Sequence, residues 1–389
     1  MRFDPYDPST QRNPYPIYRA LRDDHPLYRD QQRGFWALSR FEDVLWAAHE
    51  PGRFCSSEGV ALEGQARSPF PNIITMDDPR HGELRNLVAR GFTSKPVATF
   101  EDRVRLLATE LIDRFAEDGS VDLVQALTGP LPMMVVGDLI GVAPENREQF
   151  RAWSDTIVHQ NVDHPQTVEA GRAAATAVVE HFAEIVRERR SRPEDDLVSA
   201  LLEATVDGEH LTDEEILGFC FLLVVAGTET TTNLIGTGAL ALAAFPDERA
   251  ELMRHPDLLP SAVEEMLRWG SPVQGSARTT TEPVERHGET VPAGAKVLLL
   301  WGSANHDDRQ FTDPERFKVR RTIERHLAFA HGVHFCLGAA LARLETRVVF
   351  AELLTRIPDW HIEESAVTWI HASTVRGPAT LPMEFTPQT

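Results

Sequence analysis

One long apolar helix constrains the fold of this chain most strongly. The helical pattern begins at the capping box Thr212-x-x-Glu215 and continues to about Phe245, where Pro246 ends it. At 1.5 Å per residue, a helix of this length spans roughly 50 Å, which is enough to cross a whole globular molecule. Because the segment is apolar on nearly all sides, it is predicted to be buried. The rest of the chain therefore has to pack around it.

The sequence pattern of this helix does not predict that it crosses a membrane. Its longest apolar run, Ile216 to Gly227, ends at Thr228, whereas a span needs about 20 apolar residues. The stretch Met1 to Thr10 is polar and lacks the apolar centre of a signal peptide. We expect a soluble, cytoplasmic protein. The absence of a linker, a Ser/Gly tract or a repeat predicts a single domain over residues 1–389.

Small residues in the middle of the long helix leave space beside Thr230. Ala226 and Gly227 precede Thr230 by four and three residues and lie on its face. A threonine hydroxyl within a helix can bond the carbonyl four residues earlier and bend the helix. Glu229 lies about 100° further round the helix, so it cannot point where Thr230 points. Taken alone, a helix kink and a functional site fit these residues equally well.

Cys336 lies between two glycines, where a loop enters an amphipathic helix. In the segment Phe329 to Gly338, Gly332 and Gly338 have no Cβ, so the backbone can turn tightly and a large flat group can approach the sulfur. The helix N-terminus that follows favours a thiolate. This context favours haem, with Cys336 as the axial iron ligand, over an inert buried cysteine. Apolar positions of the helix recur at steps of three and four: Leu341, Leu344, Val348, Ala351 and Leu354.

Composition excludes several kinds of partner and cofactor. The formal net charge of −20 argues against nucleic acid and anionic membrane surfaces. Three cysteines, Cys55, Cys220 and Cys336, are too few for a disulfide scaffold and fit a reducing compartment. If Cys336 holds haem, the other two cannot ligate a four-cysteine iron–sulfur cluster.

Elsewhere the pattern is mainly helical, with short strands near both ends of the chain. Gly59 to Ile74 has no periodicity and is predicted to be a long loop, and Asn161 to Gln166 is a polar break between two helices. Helices are predicted at Asn13–Leu21, Phe41–His49, Val97–Ala116, Pro130–Ile140, Glu145–Val158, Val168–Arg190 and Pro260–Trp269, and strands at Gly34–Leu38, Lys296–Trp301 and in pieces over Trp360–Phe385.

Two pairs of charged residues have helical spacing. His81 and Arg85 are four apart and share one face, which on spacing alone favours a solvated basic surface. Glu265 and Arg268 are three apart and predict an ion pair, which contributes little to stability if it is exposed.

Three motifs together resemble those of the cytochrome P-450 family. The segment Phe329–Gly338, with the pattern F-x-x-G-x-x-x-C-x-G, resembles the haem-binding motif. The segment Ala226–Thr230, A-G-x-E-T, resembles the motif of the oxygen-activating helix. Glu265 and Arg268, with Arg316 in P-E-R-F, resemble the buried Glu-Arg-Arg triad. The motifs follow the family's order, and the likeness extends over essentially the whole chain. It is closest to the soluble bacterial branch.

The resemblance implies a mainly α fold with small β-sheets, in which haem b lies between the long helix and the Cys336 loop and helix. It implies Cys336 as the axial ligand of the haem iron, Thr230 as the residue that hydrogen-bonds dioxygen and Glu229 as a proton relay. Glu265, Arg268 and Arg316 would form a structural triad. Further cofactor contacts implied by the resemblance are His81, Arg85, Arg278 and His334 at the propionates, and Phe329, Gly332, Gly338, Ala226 and Gly227 around the ring.

The implied reaction is insertion of one oxygen atom from O2 into a C–H bond of a small apolar organic substrate, as hydroxylation or oxidative demethylation. The chain has no G-x-G-x-x-G motif, so electrons would come from another protein. The resemblance implies a ferredoxin with an NAD(P)H-dependent reductase, docked near Arg343 and Arg347. We expect a monomer without nucleic-acid or membrane partners. A substrate pocket would be lined by residues of 59–74, the hinge region near Asn161, Val224, Val225, Ala226 and Thr230, the stretch Val273 to Ala277, and Ile370 and His371.

Two alternatives share Cys336. A peroxide-driven haem-thiolate peroxygenase would be expected to lack the acid–alcohol pair Glu229 and Thr230, so this pair argues against it. A non-catalytic haem-binding sensor, which belongs to a different class of protein, would need no substrate pocket.

Overall fold

Helices dominate the structure, a computed structural model that describes residues 2–62, 70, 72–160, 163–206 and 208–388. The α-helices are α1 Pro8–Arg12, α2 Tyr15–Asp24, α3 Phe41–Ala48, α4 Arg80–Ala89, α5 Ser94–Ala98, α6 Glu101–Asp113, α7 Pro130–Ile140, α8 Arg147–Val158, α9 Pro165–Ser191, α10 Leu197–Glu203, α11 Asp213–Ala244, α12 Pro246–Arg254, α13 Leu259–Gly270, α14 Trp301–Ala304 and α15 Ala339–Arg356. Short 3₁₀ turns include Ile73–Thr75 before α4 and Gly332–His334 before α15, and a π-helical turn, Val124–Thr128, precedes α7.

The strands are short and form small sheets. They are β1 Leu27–Asp30, β2 Phe35–Leu38, β3 Phe54–Cys55, β4 Ser120–Asp122, β5 Thr205–Val206, β6 Glu209–His210, β7 Ser276–Thr280, β8 Val284–Arg286, β9 Glu289–Val291, β10 Lys296–Leu299, β11 Trp360–His361, β12 Thr368–Trp369, β13 Pro378–Thr380 and β14 Pro382–Phe385. One sheet has five strands in the order β1-β2-β10-β7-β3, in which only β2 and β10 run parallel. This sheet joins the N-terminal part of the chain to the segment that carries Arg278.

The long helix α11 is the centre of the structure, as predicted. Its capping box is formed in both directions: the Glu215 N–H donates to Thr212 Oγ1 at 3.2 Å and the Thr212 N–H donates to Glu215 Oε2 at 3.0 Å. Helices α7, α8, α9, α13 and α15 pack around it. By length and composition α11 could cross a membrane, but 61% of its most apolar window is buried inside the protein. It therefore has the character of a core helix.

Most predicted helices are found within a few residues of their predicted bounds. The exception is Val97–Ala116, which is divided into α5 and α6. The N–H groups of Thr99 and Phe100 bond to carbonyls three residues earlier, at Pro96 and Val97, and this tighter turn interrupts the α-helical ladder. Parts of the two predicted irregular segments, residues 63–69, 71, 161 and 162, lie outside the described residues. Helix α9 begins at Pro165, earlier than predicted.

Candidate active site

An apolar cavity of about 270 Å³ lies between α11 and the Cys336 segment. Thr230 and Cys336 both line it, although they are far apart in the sequence. The face of α11 toward the cavity repeats with helical spacing and includes Phe219, Leu223, Ala226, Thr230 and Leu234. The fold therefore brings the two sequence motifs to opposite sides of one apolar space.

The predicted lining of this cavity is only partly correct. Ile73, Ile74, Val273 and Ser276 line it, as do Ala226 and Thr230. Val224 is instead buried in a core cluster on another side of α11, and Val225 packs against the same cluster. Ile370 is buried in a separate cluster with Ala372 and Val375. The error on α11 arises because helical rotation turns Val224 and Val225 away from the face of Thr230.

The Cys336 thiol lines the cavity just before α15. Its backbone N–H donates to Phe329 O at 2.9 Å, which closes the loop, and Gly338 caps the helix. Burial raises the pKa of Cys336, whereas the Gly338 N–H and the guanidinium groups of Arg85 and Arg343 lower it by less. The helix start thus favours the thiolate, as expected, but burial of the thiol in the protein alone has the larger effect. A coordinated metal ion, by contrast, deprotonates a thiol outright.

Three glycines of the motifs have different surroundings. Gly332 has φ +73°, and a Cβ there would lie 2.2 Å from the Ala48 carbonyl oxygen, so this residue fits the loop against the end of α3. Apart from Gly338 and its neighbours in the chain, no described atom lies within 4 Å of a Cβ built at Gly338, which lines the cavity. A Cβ at Gly227 would lie 2.9 Å from Val136 Cγ2. Gly227 thus allows close packing of α11 on α7.

Thr230 and Glu229 point to different sides of α11, as predicted. Thr230 Oγ1 donates to the Ala226 carbonyl at 2.7 Å on the cavity side. The Glu229 carboxylate is buried, and its Oε1 lies 3.0 Å from His159 Nε2 and accepts a hydrogen bond from Asn233 Nδ2 at 3.3 Å. Burial raises the pKa of Glu229, but its hydrogen bond to His159 and the charge of that ring outweigh this and hold the pKa below its usual range.

Four basic residues from three parts of the chain come together beside the cavity. They are His81 and Arg85 on α4, Arg278 on β7 and His334 before Cys336, and all except His81 line the cavity directly. The rings of His81 and His334 have centroids 4.2 Å apart, and His334 Nε2 lies 3.1 Å from Ser56 Oγ. His81 is 1% exposed, so the interpretation of its helix face as a solvated basic surface is wrong.

Two of these groups lack the partners that burial demands. Within the described part of the chain, no carboxylate forms an ion pair with the buried Arg278, which donates to the Ala277 carbonyl at 2.8 Å; burial lowers its pKa to about 10. His81 Nε2 is buried and has no hydrogen-bond partner among the described residues. Burial, together with the charges of Arg278 and His81, lowers the pKa of His334 to about 3. An anionic group bound here would satisfy these donors.

The predicted buried triad forms with a different third member. Glu265 and Arg268 are fully buried and joined by two hydrogen bonds, at 2.7 and 2.8 Å. Arg321 Nε, not Arg316, makes the third contact, 3.0 Å from Glu265 Oε1. Arg316 pairs with Asp247 at the surface, and its guanidinium lies over the Phe245 ring.

The prediction of Arg316 is wrong because the chain turns before this residue. The Arg316 N–H bonds to the Asp313 carbonyl at 3.1 Å, and the next side chain, Phe317, takes the inward position. The Lys318 N–H then donates to Glu265 Oε1 at 3.0 Å, which brings Arg321 to the same carboxylate. No spacing pattern in the sequence shows which of the two arginines turns inward.

Sequence reasoning also missed the surroundings of Glu229. Asn233 follows Glu229 by one helical turn, so the i, i+4 spacing could have indicated this contact. Asp155 lies on α8 and His159 directly follows this helix, and no local pattern connects either residue to α11.

Comparison with known proteins agrees with this arrangement. The sequence model of the family described as cytochrome P450 matches residues 150–255 and 246–364. The chain belongs to the cytochrome P450 family. It is 39% identical over 385 residues to a "Putative cytochrome P450 123" of Mycobacterium tuberculosis, covering 98% of this chain and 96% of that protein. It is 39% identical to the "Steroid C26-monooxygenase" of the same species, covering 95% of this chain and 93% of that protein.

Solved structures show the same fold. The crystal structure of CYP109E1 from Bacillus megaterium in complex with testosterone matches with a TM-score of 0.91 and 36% identity, and the match covers 97% of this chain and 99% of that one. The predicted fold class, mainly α with small sheets, is thereby confirmed. The chain is a cytochrome P450 enzyme, an oxidoreductase of the monooxygenase type, and the cofactor of its family is haem b.

The residues around the cavity fit this cofactor. The Cys336 thiol lines the cavity, and thiolate sulfur is the iron ligand of cytochromes P450. Elsewhere around the cavity, buried Arg278 and His81 Nε2 need anionic or acceptor partners, which haem supplies as its two carboxylates. Gly338 leaves open space on the cavity wall next to the sulfur.

Proposed function

We propose that this cytochrome P450 inserts one oxygen atom from O2 into a C–H bond of a small apolar organic molecule, as hydroxylation or oxidative demethylation. The observation that carries the proposal is that Cys336 and Thr230 line one apolar cavity from opposite elements. A thiol ligand, an alcohol on the facing helix and an apolar wall together suit oxidation of a molecule that has few polar groups.

Five side chains hold the cofactor in this proposal: Cys336 and the four basic residues beside the cavity. Cys336 binds the haem iron, and His81, Arg85, Arg278 and His334 hold the propionates. Charge-assisted hydrogen bonds of this kind are stronger than neutral ones, and the buried Arg278 gains most from them. The ring is bounded by Phe329, Gly338, Ala226 and Gly227, which line the cavity. Gly332, also predicted there, does not line the cavity and instead fits the loop against α3.

The reaction consumes protons as well as electrons. One substrate C–H, one O2, two electrons and two protons give one alcohol and one water. When bound, haem supplies the iron at which O2 is reduced and the O–O bond is broken. Thr230 orients the oxygen through its hydroxyl, and Glu229 supplies the protons. Thr230 is the catalytic residue that lines the reaction space, and Glu229, which directly precedes it on α11 but does not line the cavity, is the proton donor behind it.

The electrons come from a ferredoxin that is served by an NAD(P)H-dependent reductase. We propose that it docks near Arg343 and Arg347 on α15, behind Cys336. These side chains are 37% and 34% exposed, and each also pairs with a carboxylate, Glu264 and Glu101 respectively, at 2.6 Å. Docking therefore depends on a mixed local surface and not on the overall charge of −20.

The substrate is proposed to be apolar. The candidate classes are terpenoids, aromatics and fatty acyl chains, to which the comparisons add steroids. The cavity wall includes the apolar side chains Ile73, Phe92, Leu222, Leu223 and Val273. One relative is called a steroid C26-monooxygenase, and one similar structure holds testosterone. We further propose that residues 1–389 form one haem domain that acts in the cytoplasm as a monomer.

The test combines binding and turnover. The purified holoenzyme is titrated with testosterone, a monoterpene, a substituted benzene and a fatty acid, and the shift of the haem absorption band is recorded. The best binder is then incubated either with ferredoxin, reductase and NADH or with hydrogen peroxide alone. We expect product with the electron-transfer proteins. Faster turnover with peroxide alone would replace the proposal with a peroxygenase, and binding without any turnover would favour a sensor.

A further inference from the structure

The carboxylate of Glu229 faces a group of titratable side chains at the end of α8. Glu229 is not among the residues that line the cavity, and its side chain is 5% exposed. Its Oε1 lies 3.0 Å from His159 Nε2, and Asp155 hydrogen-bonds to the same carboxyl group. A group so deeply buried cannot take protons directly from bulk water, so another residue has to supply them.

His159 connects this buried carboxylate with the surface. It is the residue that ends α8, its N–H bonds to the Asp155 carbonyl at 2.9 Å, and its side chain is 31% exposed. An imidazole can take up a proton at one ring nitrogen and release one from the other. Because Nε2 of His159 contacts Glu229 and the rest of the side chain is partly exposed, one side chain connects solvent with the interior.

Because of Asp155, the protonation state of this group of side chains changes near neutral pH. Burial and the charge of Glu229 raise the pKa of Asp155 to about 7, against the lowering effects of His159 and Arg151. Burial lowers the pKa of His159, but the hydrogen bond and charge of Glu229 outweigh it, so the net direction is upward. Within the described ranges, Arg151 on α8 and the amide of Asn233 on α11 also face the cluster.

We propose that His159 and Asp155 form the solvent end of a proton relay that leads to Glu229. This inference rests on the proposed function, in which Glu229 supplies protons for the reduction of O2. His159 and Asp155 act through Glu229 and are therefore positioning residues.

In each step, the imidazolium of His159 transfers its Nε2 proton to Glu229 Oε1, which gives a neutral imidazole and a carboxylic acid. The neutral imidazole keeps its proton at Nδ1, so the ring turns to take the next proton from water at Nε2 and then returns to Glu229. Asp155 holds the Glu229 carboxyl group in place through its hydrogen bond. Two such steps match the two protons that each turnover consumes.

The first test needs no turnover. The imidazole signal of His159 is assigned by its loss in His159→Gln and titrated by NMR in the reduced, carbon-monoxide-bound holoenzyme. We expect Asp155→Asn and Glu229→Gln each to shift its pKa downward, because each removes a neighbouring carboxylate. A pKa that is the same in both variants and in the wild type would overturn the relay.

The second test separates proton supply from structure. Oxidation driven by O2 consumes two protons, whereas oxidation by hydrogen peroxide needs neither external protons nor electrons. With testosterone as the probe, His159→Gln is expected to lower product per NADH about tenfold in the O2-driven reaction. The peroxide-driven rate should stay at the wild-type level, because glutamine still offers an N–H to Glu229. His164→Gln, an exposed histidine on the same connection, is the matched control and should change neither rate.

The outcomes distinguish this inference from the proposed function. Equal losses in both reactions would assign His159 a structural role and overturn the relay, as would no loss in either. In both cases the wild type would still act as a monooxygenase. If the wild type forms no product by either route, the proposed function fails with this substrate, and the NMR titration alone decides the relay.

Discussion

Arg321 Nε donates a hydrogen bond to Glu265 Oε1 at 3.0 Å, and so completes a buried group of charges with Arg268. Arg316, five residues earlier, lies at the surface on Asp247. Removing one member of a buried ion-pair network leaves an uncompensated charge, whereas an exposed pair contributes little. The two arginines therefore make a matched pair of variants.

Arg321→Ala is expected to lower the free energy of unfolding by about 3 kcal/mol. Arg316→Ala is expected to change it by less than about 1 kcal/mol. Urea unfolding of the holoenzyme, followed by circular dichroism, measures both. Equal losses, or a larger loss for Arg316→Ala, would contradict this assignment of the triad.

Cys336→Ser is expected to abolish the reduced carbon-monoxide spectrum that is typical of thiolate ligation, because an alcohol is a poor replacement for a thiolate on iron. Cys55→Ser removes a partly buried cysteine of β3 and should keep this spectrum. Difference spectra of the two reduced proteins under carbon monoxide give the answer. Survival of the thiolate spectrum in Cys336→Ser would assign the ligand to another residue.

Arg278→Gln is expected to release haem about tenfold faster, because it removes a charge-assisted hydrogen bond worth about 1.5 kcal/mol or more. Arg278→Lys keeps the charge but not the planar group, and should lie between this variant and the wild type. Transfer of haem to an excess of a haem-scavenging protein measures the three rates. If they are identical, Arg278 does not hold a propionate.

Thr230→Ala is expected to keep the thiolate spectrum and to divert reduced oxygen to peroxide, because its hydroxyl lines the cavity. The control is Thr228→Ala. The Thr228 hydroxyl makes the same type of bond to a carbonyl four residues earlier, at Val224, but the residue is buried and does not belong to the cavity lining. The ratio of peroxide to NADH consumed should rise in Thr230→Ala alone. A similar rise in both variants would indicate a general distortion of α11.

Glu345 gives a prediction for the pH dependence of stability. Its side chain is buried on α15, its Oε2 has no partner among the described residues, and burial raises its pKa to about 8. The folded state thus binds this proton more tightly than the unfolded state does. The stability that this group contributes is full at pH values below its unfolded pKa of about 4.3, and it is lost as the pH rises toward 8.

Glu345→Gln carries no titrating group, so its stability relative to the wild type should increase with pH by up to about 1.4 kcal/mol per unit. Urea unfolding at about pH 5.5, about pH 6.5 and about pH 7.5 tests this. Glu363→Gln, at an exposed site, should show no such trend. A difference between Glu345→Gln and the wild type that does not change with pH would mean that Glu345 is ionised in the folded protein.

The parts of the site that are predictable from sequence are those that local rules encode. The capping box at Thr212 and the proline at 246 determine the ends of α11, and helical geometry alone separates Glu229 from Thr230. The glycine after Cys336, Gly338, likewise lies in open space on the cavity wall. Each of these features depends on residues within a few positions of one another.

The rest depends on contacts that only the folded chain makes. His159 meets Glu229 across 70 residues, and the turn at Asp313 decides that Arg321 and not Arg316 reaches Glu265. The pKa of Cys336 follows the burial of the loop more than its place before a helix. Such outcomes balance packing against electrostatics over the whole structure, and a spacing pattern carries no information about that balance.

The parallel pairing of β2 with β10, Trp36 beside Val297, has a consequence for how the protein is made on the ribosome. The first strands emerge early, but their neighbour in the sheet is complete only once Leu299 has been synthesised. Contacts between residues so distant in sequence form slowly, and strand edges that are still unpaired are prone to aggregation. Because β7 carries Arg278 and Cys336 comes later still, the proposed haem-binding site is complete only after nearly all of the chain has left the ribosome. The yield of folded protein should therefore depend more on haem supply during expression than on how fast the N-terminal half is translated.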